Sequence, residues 1–173
     1  EELKKVCNEG CDYIQFDEPV WTENVDETDW GADVLNYIIE KFPNVKFNLH
    51  ICGGNAHRKR GFFGRYTDMI TSFKKLKINE IHLEHCSLHY PMLDIFKEWD
   101  FNGALSAGVV DQRIDTTETF DDIHENTKPL LKFFESDKIL LTSECGLGHV
   151  PIDIAKAKIS QLVEAAEKLR KIY

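Results

Sequence analysis

The 173-residue chain lacks a basic surplus, a long apolar run and an even set of cysteines, and each absence excludes a class of function. Its 21 Lys and Arg face 30 Asp and Glu, giving a formal net charge of −9. A broad nucleic-acid footprint needs a basic face, and only His57-Arg58-Lys59-Arg60 offers the start of one. No apolar run approaches the ~20 residues that cross a bilayer. The opening EELKKVCNEG is too polar for a secretory signal, so the expected location is cytoplasmic, with neither nucleic acid nor membrane as partner. Five cysteines without such a signal do not form a disulfide framework. Cys7 and Cys11 stand four apart on an expected helix; they read as packing residues, with no third ligand nearby to make them a metal pair. What is present, 42% hydrophobic and 29% charged residues, suits a soluble globular domain.

Strand-like runs recur along the chain: DYIQFDEP (12–19), VKFNLHIC (45–52), EIHLEHC (80–86), FNGALSAGVV (101–110) and KILLTSECG (138–146). Helical patterns lie between them at 32–42, 66–77 and 119–136, and a last one runs from 153 to 173. Asp115-Thr116-Thr117-Glu118 reads as a capping box for the third. Alternation at about 30 residues per unit implies parallel strands with crossover helices. Asp17, His50, Cys52, Glu84, Asp111 and Cys145 fall at strand ends on five consecutive strands. That distribution favours a (βα)8 TIM-type barrel over an open doubly wound sheet, which gathers function at one switch point. A full barrel takes ~250 residues. The expectation is therefore the C-terminal five βα units, with residues 1–173 forming part of a single zinc-binding catalytic barrel domain. Its first strand then has an open edge through which the chain could self-associate.

Side chains alternate across a strand. Asn48, His50 and Cys52 share one face of the second strand, His82, Glu84 and Cys86 one face of the third, and Gln15 and Asp17 one face of the first. In the fifth, Cys145 shares a phase with Ile139 and Leu141, so those aliphatics are expected to fill the barrel interior beneath the thiol. His50, Cys52, Glu84 and Cys145 together offer one imidazole, two sulfurs and one carboxylate. This borderline-soft set suits Zn²⁺ well and Mg²⁺ or Ca²⁺ poorly. A zinc so bound is a weak Lewis acid that keeps a bound thiol deprotonated and nucleophilic, which points to alkylation of a substrate sulfur. His82, His85, Cys86 and His89 suggest a second, weaker metal group, and the segment from His57 to Arg65 either holds an anionic tail or is a solvated loop.

Taken in order, IQFDEP, HIC, IHLE, GVVD followed by TTET, and SECGLG followed by AKAKISQLVEAAEKLR resemble the catalytic barrel of cobalamin-independent methionine synthase. HICGGN is closer to a shorter-chain branch of that family. The resemblance implies zinc held by His50, Cys52, Glu84 and Cys145, binding of the substrate ammonium by Asp17, and catalytic roles for Asp17 and Asp111. It implies transfer of a methyl group from 5-methyltetrahydrofolate to the small-molecule thiol homocysteine, giving methionine. The long synthases carry a His, the proposed proton donor, where this chain has Arg113, and arginine is a poor general acid. Alternatives are a related zinc-dependent thiol alkyltransferase, using an epoxide with coenzyme M or a methylcobalamin donor, and a non-catalytic barrel fragment with structural zinc. Uroporphyrinogen decarboxylase-like relatives share the barrel without this ligand set.

Overall fold

The computed structural model describes residues 1–88 and 92–173; His89, from the second metal group expected above, lies outside the described residues. Five strands form one parallel sheet in the order β1-β2-β3-β4-β5. They are β1 (Tyr13–Glu18), β2 (Lys46–Ile51), β3 (Glu80–Glu84), β4 (Ala104–Val110) and β5 (Ile139–Ser143). The helices are α1 (Glu2–Asn8), α2 (Thr28–Ile39), α3 (Ile70–Lys75), α4 (Phe120–Thr127) and α5 (Ile152–Leu169). Consecutive order with every neighbour parallel is the wiring of a (βα)8 barrel, in which each strand pairs with the unit before it. A doubly wound sheet would reverse direction within that order.

One face of the sheet carries the apolar core. Leu49, Ile51, Ile81, Leu83, Leu105 and Val109 are buried there with helix residues such as Phe73 and Leu169. The opposite face is polar and lines a cleft of about 420 Å³, with Gln15, Asp17, Asn48, His50, His82 and Cys145 on its wall. The expected alternation holds on β1, β2 and β3. On β5 it is reversed: Leu140 and Thr142 line the cleft, while Ile139 and Leu141 pack against the core. Ile139 pairs with Leu105 and Leu140 with Ser106, which turns the odd-numbered residues to the core, and a register shift follows where Thr142 and Ser143 meet Gly108 and Val110. That shift changes the phase beyond Thr142 and brings Cys145 to the cleft side.

Three helical expectations also change. α2 begins four residues before position 32, at Thr28, whose hydroxyl donates to Val25 O at 2.8 Å and meets Ser72 Oγ at 2.7 Å. Gly31 fits inside this helix because a Cβ there would lie 2.7 Å from the Trp21 ring. The 66–77 pattern divides into a 3-10 turn (Tyr66–Met69) and α3, since the buried Tyr66 hydroxyl is drawn to the strand ends. It donates to Ile51 O at 3.0 Å and accepts from Glu84 N at 3.1 Å. The capping box belongs to Thr119 and Asp122 rather than to Asp115–Glu118. Glu118 is taken instead by the fully buried Lys158 of α5, at 2.9 Å. Among the described residues no helix is long and apolar enough to cross a membrane.

Candidate metal centre

His50 ends β2's inward-facing series, Cys52 follows the strand by one residue, and Cys145 lies two residues beyond β5. The loop from 53 to 62 ties these ends together: Gly53 O accepts from Gly61 N at 2.7 Å and Phe62 N at 2.9 Å, and Asn55 Nδ2 donates to Gly146 O at 2.9 Å. The donor atoms of His50, Cys52 and Cys145 consequently lie within 4.8 Å of one another. The two sulfurs are 3.9 Å apart. Both ring nitrogens of His50 are buried with no hydrogen-bond partner among the described residues. Buried polar atoms are seldom left so, because each forfeits its hydration without replacement. A divalent, borderline-soft cation satisfies an imidazole nitrogen and two sulfurs together, so the residues present fit a zinc ion.

The thiols are already prepared for such a role. Hydrogen bonding from Cys52, with smaller help from nearby His50 and the Gly146 N–H, pulls the Cys145 thiol well below its ordinary range against the opposing effect of burial. The Cys52 thiol is pushed up in turn by Cys145 and by burial. Beneath His50, at 4.0 Å between ring centroids, lies His82. Burial, then the neighbouring His50, lowers His82 to about 3. It is therefore neutral, and its Nε2 donates to Ser143 O at 2.9 Å.

Glu84 is not brought into this group. Its carboxylate is fully buried and turned to an arginine pair, with Oε2 2.6 Å from Arg60 Nη1 and Oε1 on Arg113 Nη2. Gly53 N, on the residue after Cys52, donates to Oε2 at 3.1 Å. Arg113 Nη1 reaches back to Glu144 Oε2 at 2.8 Å. Glu144 is itself buried and accepts from Ser87 N at 2.7 Å and His85 N at 3.0 Å. Sequence reasoning missed Arg60 and Glu144 as parts of the site. The HRKR string flagged the first only as a basic stretch, and the second sits unmarked beside Cys145. Arg58, from the same string, donates to Gln112 O at 3.0 Å and pairs with Asp115 at 2.6 Å.

Asp17 is exposed at the end of β1, in parallel register with His50. Its Oδ1 accepts from Gln15 Nε2 at 2.7 Å. Gln15 is oriented in turn: Asn48 Nδ2 donates to Gln15 Oε1 at 2.8 Å and to Glu80 Oε1 at 3.0 Å, which leaves the Gln15 amide nitrogen for Asp17. Asp111 shapes its own loop. Its N–H donates to Glu118 Oε1 at 2.8 Å, and its Oδ1 accepts from Arg113 N at 2.7 Å.

Residues 1–168 match the model of the cobalamin-independent synthase catalytic domain. The chain is 27% identical over 170 residues to the methionine synthase of Saccharolobus solfataricus, covering 98% of this chain and 48% of that protein. It is 29% identical over 175 residues to the methionine synthase of Sulfolobus acidocaldarius, covering 99% and 48%. The chain thus spans about half the length of the curated relatives it matches. Among solved structures, a B12-independent methionine synthase from Shewanella sp. W3-18-1, in complex with selenomethionine, superposes with a TM-score of 0.85 at 29% identity, over 98% of this chain and 52% of that one. The putative vitamin-B12-independent methionine synthase of Listeria monocytogenes, at 16% identity, shares the fold with a TM-score of 0.71 over 97% and 51%.

Proposed function

Since the chain belongs to the family of cobalamin-independent synthase catalytic domains, we propose that the protein transfers a methyl group to the thiol of homocysteine, with 5-methyltetrahydrofolate as donor and zinc as cofactor. The observation that carries the reading is the convergence of His50, Cys52 and Cys145 around a histidine whose two buried nitrogens have no partner. These three residues would hold the zinc, with Glu84 as fourth ligand once its carboxylate turns from Arg60 and Arg113. Zinc there would keep a substrate thiol ionised near neutral pH, removing the ~8.5 pKa that otherwise leaves most of it protonated.

The chain's own residues orient the amino acid. Asp17, beside His50 across the β1–β2 pair, offers its carboxylate to the substrate ammonium through charge-assisted hydrogen bonds. Gln15, aligned by Asn48 and Glu80, holds that carboxylate in place. Neutral His82 supports the His50 ring from below and keeps a second positive charge out of the cleft. Asp111 acts through Arg113, whose backbone N–H it accepts.

Arg113 favours a second reading of the donor. Fixed between two buried carboxylates, a guanidinium does not release a proton to a departing folate nitrogen. Methylcobalamin, whose leaving group departs without a proton, fits that environment. Methionine formation by the purified protein from homocysteine and either donor, with and without a zinc chelator, tests both readings. Chelator-sensitive product from one donor selects it, and no product from either overturns the proposal. Asp17→Asn should raise the KM for homocysteine while zinc content stays unchanged; parallel loss of zinc and activity would mean that Asp17 has another role.

A further inference from the structure

Glu84 is held by donors from two different loops. Arg60 and Gly53 come from the loop after β2, and Arg113 comes from the loop after β4. The side chains of Arg60 and Arg113 are only 12% and 13% exposed, and that of Glu84 is 0% exposed. Arg113 is fixed from behind by Glu144, which Ser87 and His85 hold in turn. Its loop is tethered by the Asp111 N–H to Glu118, and Glu118 is tethered to the buried Lys158. Two guanidinium groups thus face the Glu84 and Glu144 carboxylates, with Asp111 Oδ1 a further 3.8 Å from Arg113 Nη1. Gly53 directly follows Cys52, so the clamp abuts the group of His50, Cys52 and Cys145. A metal that draws on Glu84 must therefore compete with both arginines for one carboxylate.

We propose that Arg60 and Arg113 are positioning residues that compete with the metal for Glu84, weakening that one ligand so that a substrate thiol replaces it easily. The inference rests on the zinc reading above and adds the part played by the two arginines. Partners that orient a metal ligand normally raise metal affinity, and their loss costs 10–100-fold. Here the partners pull the ligand away, so the sign is opposite.

The test uses the purified protein, stripped of metal and titrated with zinc against a chromophoric chelator. Arg60→Met and Arg113→Met should each bind zinc about tenfold more tightly than wild type. X-ray absorption should show the carboxylate oxygen at the metal closer and more fully occupied in each. Arg60→Lys, which restores the charge, should return the affinity toward wild type. In a Glu84→Gln background Arg60→Met should change nothing, because the contested carboxylate is gone. Circular dichroism screens for folding, and Arg60, on a loop outside the sheet, keeps the test alive if Arg113→Met does not fold. Zinc binding by wild type with equal or weaker affinity in Arg60→Met, and an unchanged ligand set, overturns this inference alone. No zinc binding by wild type overturns the zinc reading, and the inference falls with it.

Discussion

At the end of β2, His50, Cys52 and Cys145 turn donors toward one another while both His50 nitrogens lack a partner. One strand further along, Glu84, Arg60, Arg113 and Glu144 pair charge with charge. Both clusters are largely buried and both sit at the C-terminal ends of the strands. They differ in what meets their chemically active atoms. Both carboxylates of the ionic cluster are met by guanidinium or N–H donors, although Arg60 Nη2 and Arg113 Nε are buried without a partner among the described residues. In the sulfur–imidazole cluster neither His50 nitrogen is met among the described residues, and desolvated polar atoms without partners are costly unless a ligand completes them.

That comparison is broken most directly by truncation. Glu144→Ala leaves Arg113 and two backbone N–H groups short of a partner and should cost ~3–5 kcal/mol in urea unfolding. Cys145→Ala in metal-free protein should cost only about 1 kcal/mol. Equal losses would show that the two clusters do the same job. Next in size is ligand linkage. Zinc at about a hundred times its Kd should stabilise wild type by ~2.7 kcal/mol. Neither Cys52→Ser nor Cys145→Ser should gain that increment, and metal analysis should find both below one zinc per chain. A smaller effect sharpens the geometry: a Cβ on Gly108 would lie 2.5 Å from Glu144 Cα. Gly108→Ala should therefore cost ~1–3 kcal/mol by forcing β4 and the Glu144 segment apart. Smallest is Thr119→Ala, which removes the capping box of α4, at about 1 kcal/mol. Lying outside both clusters, it should leave zinc affinity untouched.

The two clusters were not equally legible in the sequence. His50 and Cys52 announce themselves by i, i+2 spacing on one strand, and Cys145 by its place after another, because strand alternation is a local rule. The strands likewise followed from short apolar runs, to within three residues at each end. Glu84 carried the same local signal, yet its partners Arg60 and Arg113 are 24 and 29 residues away, a pairing that no periodicity encodes. The parity of β5 failed for a similar reason. Its phase is set by pairing with β4 and broken beyond Thr142 by the register shift against Gly108 and Val110, a property of two strands rather than one. The capping box was expected at Asp115–Glu118, four residues ahead of Thr119 and Asp122, which form it. Lys158, some forty residues downstream, claimed Glu118 for itself.

The strand order has a consequence for how the molecule comes into being. Each of β2 to β5 pairs with the strand synthesised immediately before it, so none of these four has to wait for a distant partner on that side. Short loop closures cost little entropy and permit assembly in sequence as the chain leaves the ribosome. Growth of this kind adds the sulfur of Cys145 last, after His50 and Cys52 have been fixed for two further units. The donor group is thus complete only once β5 has joined the sheet, so a metal held by these three residues would be captured after β5 rather than acting as a nucleus for the strands before it.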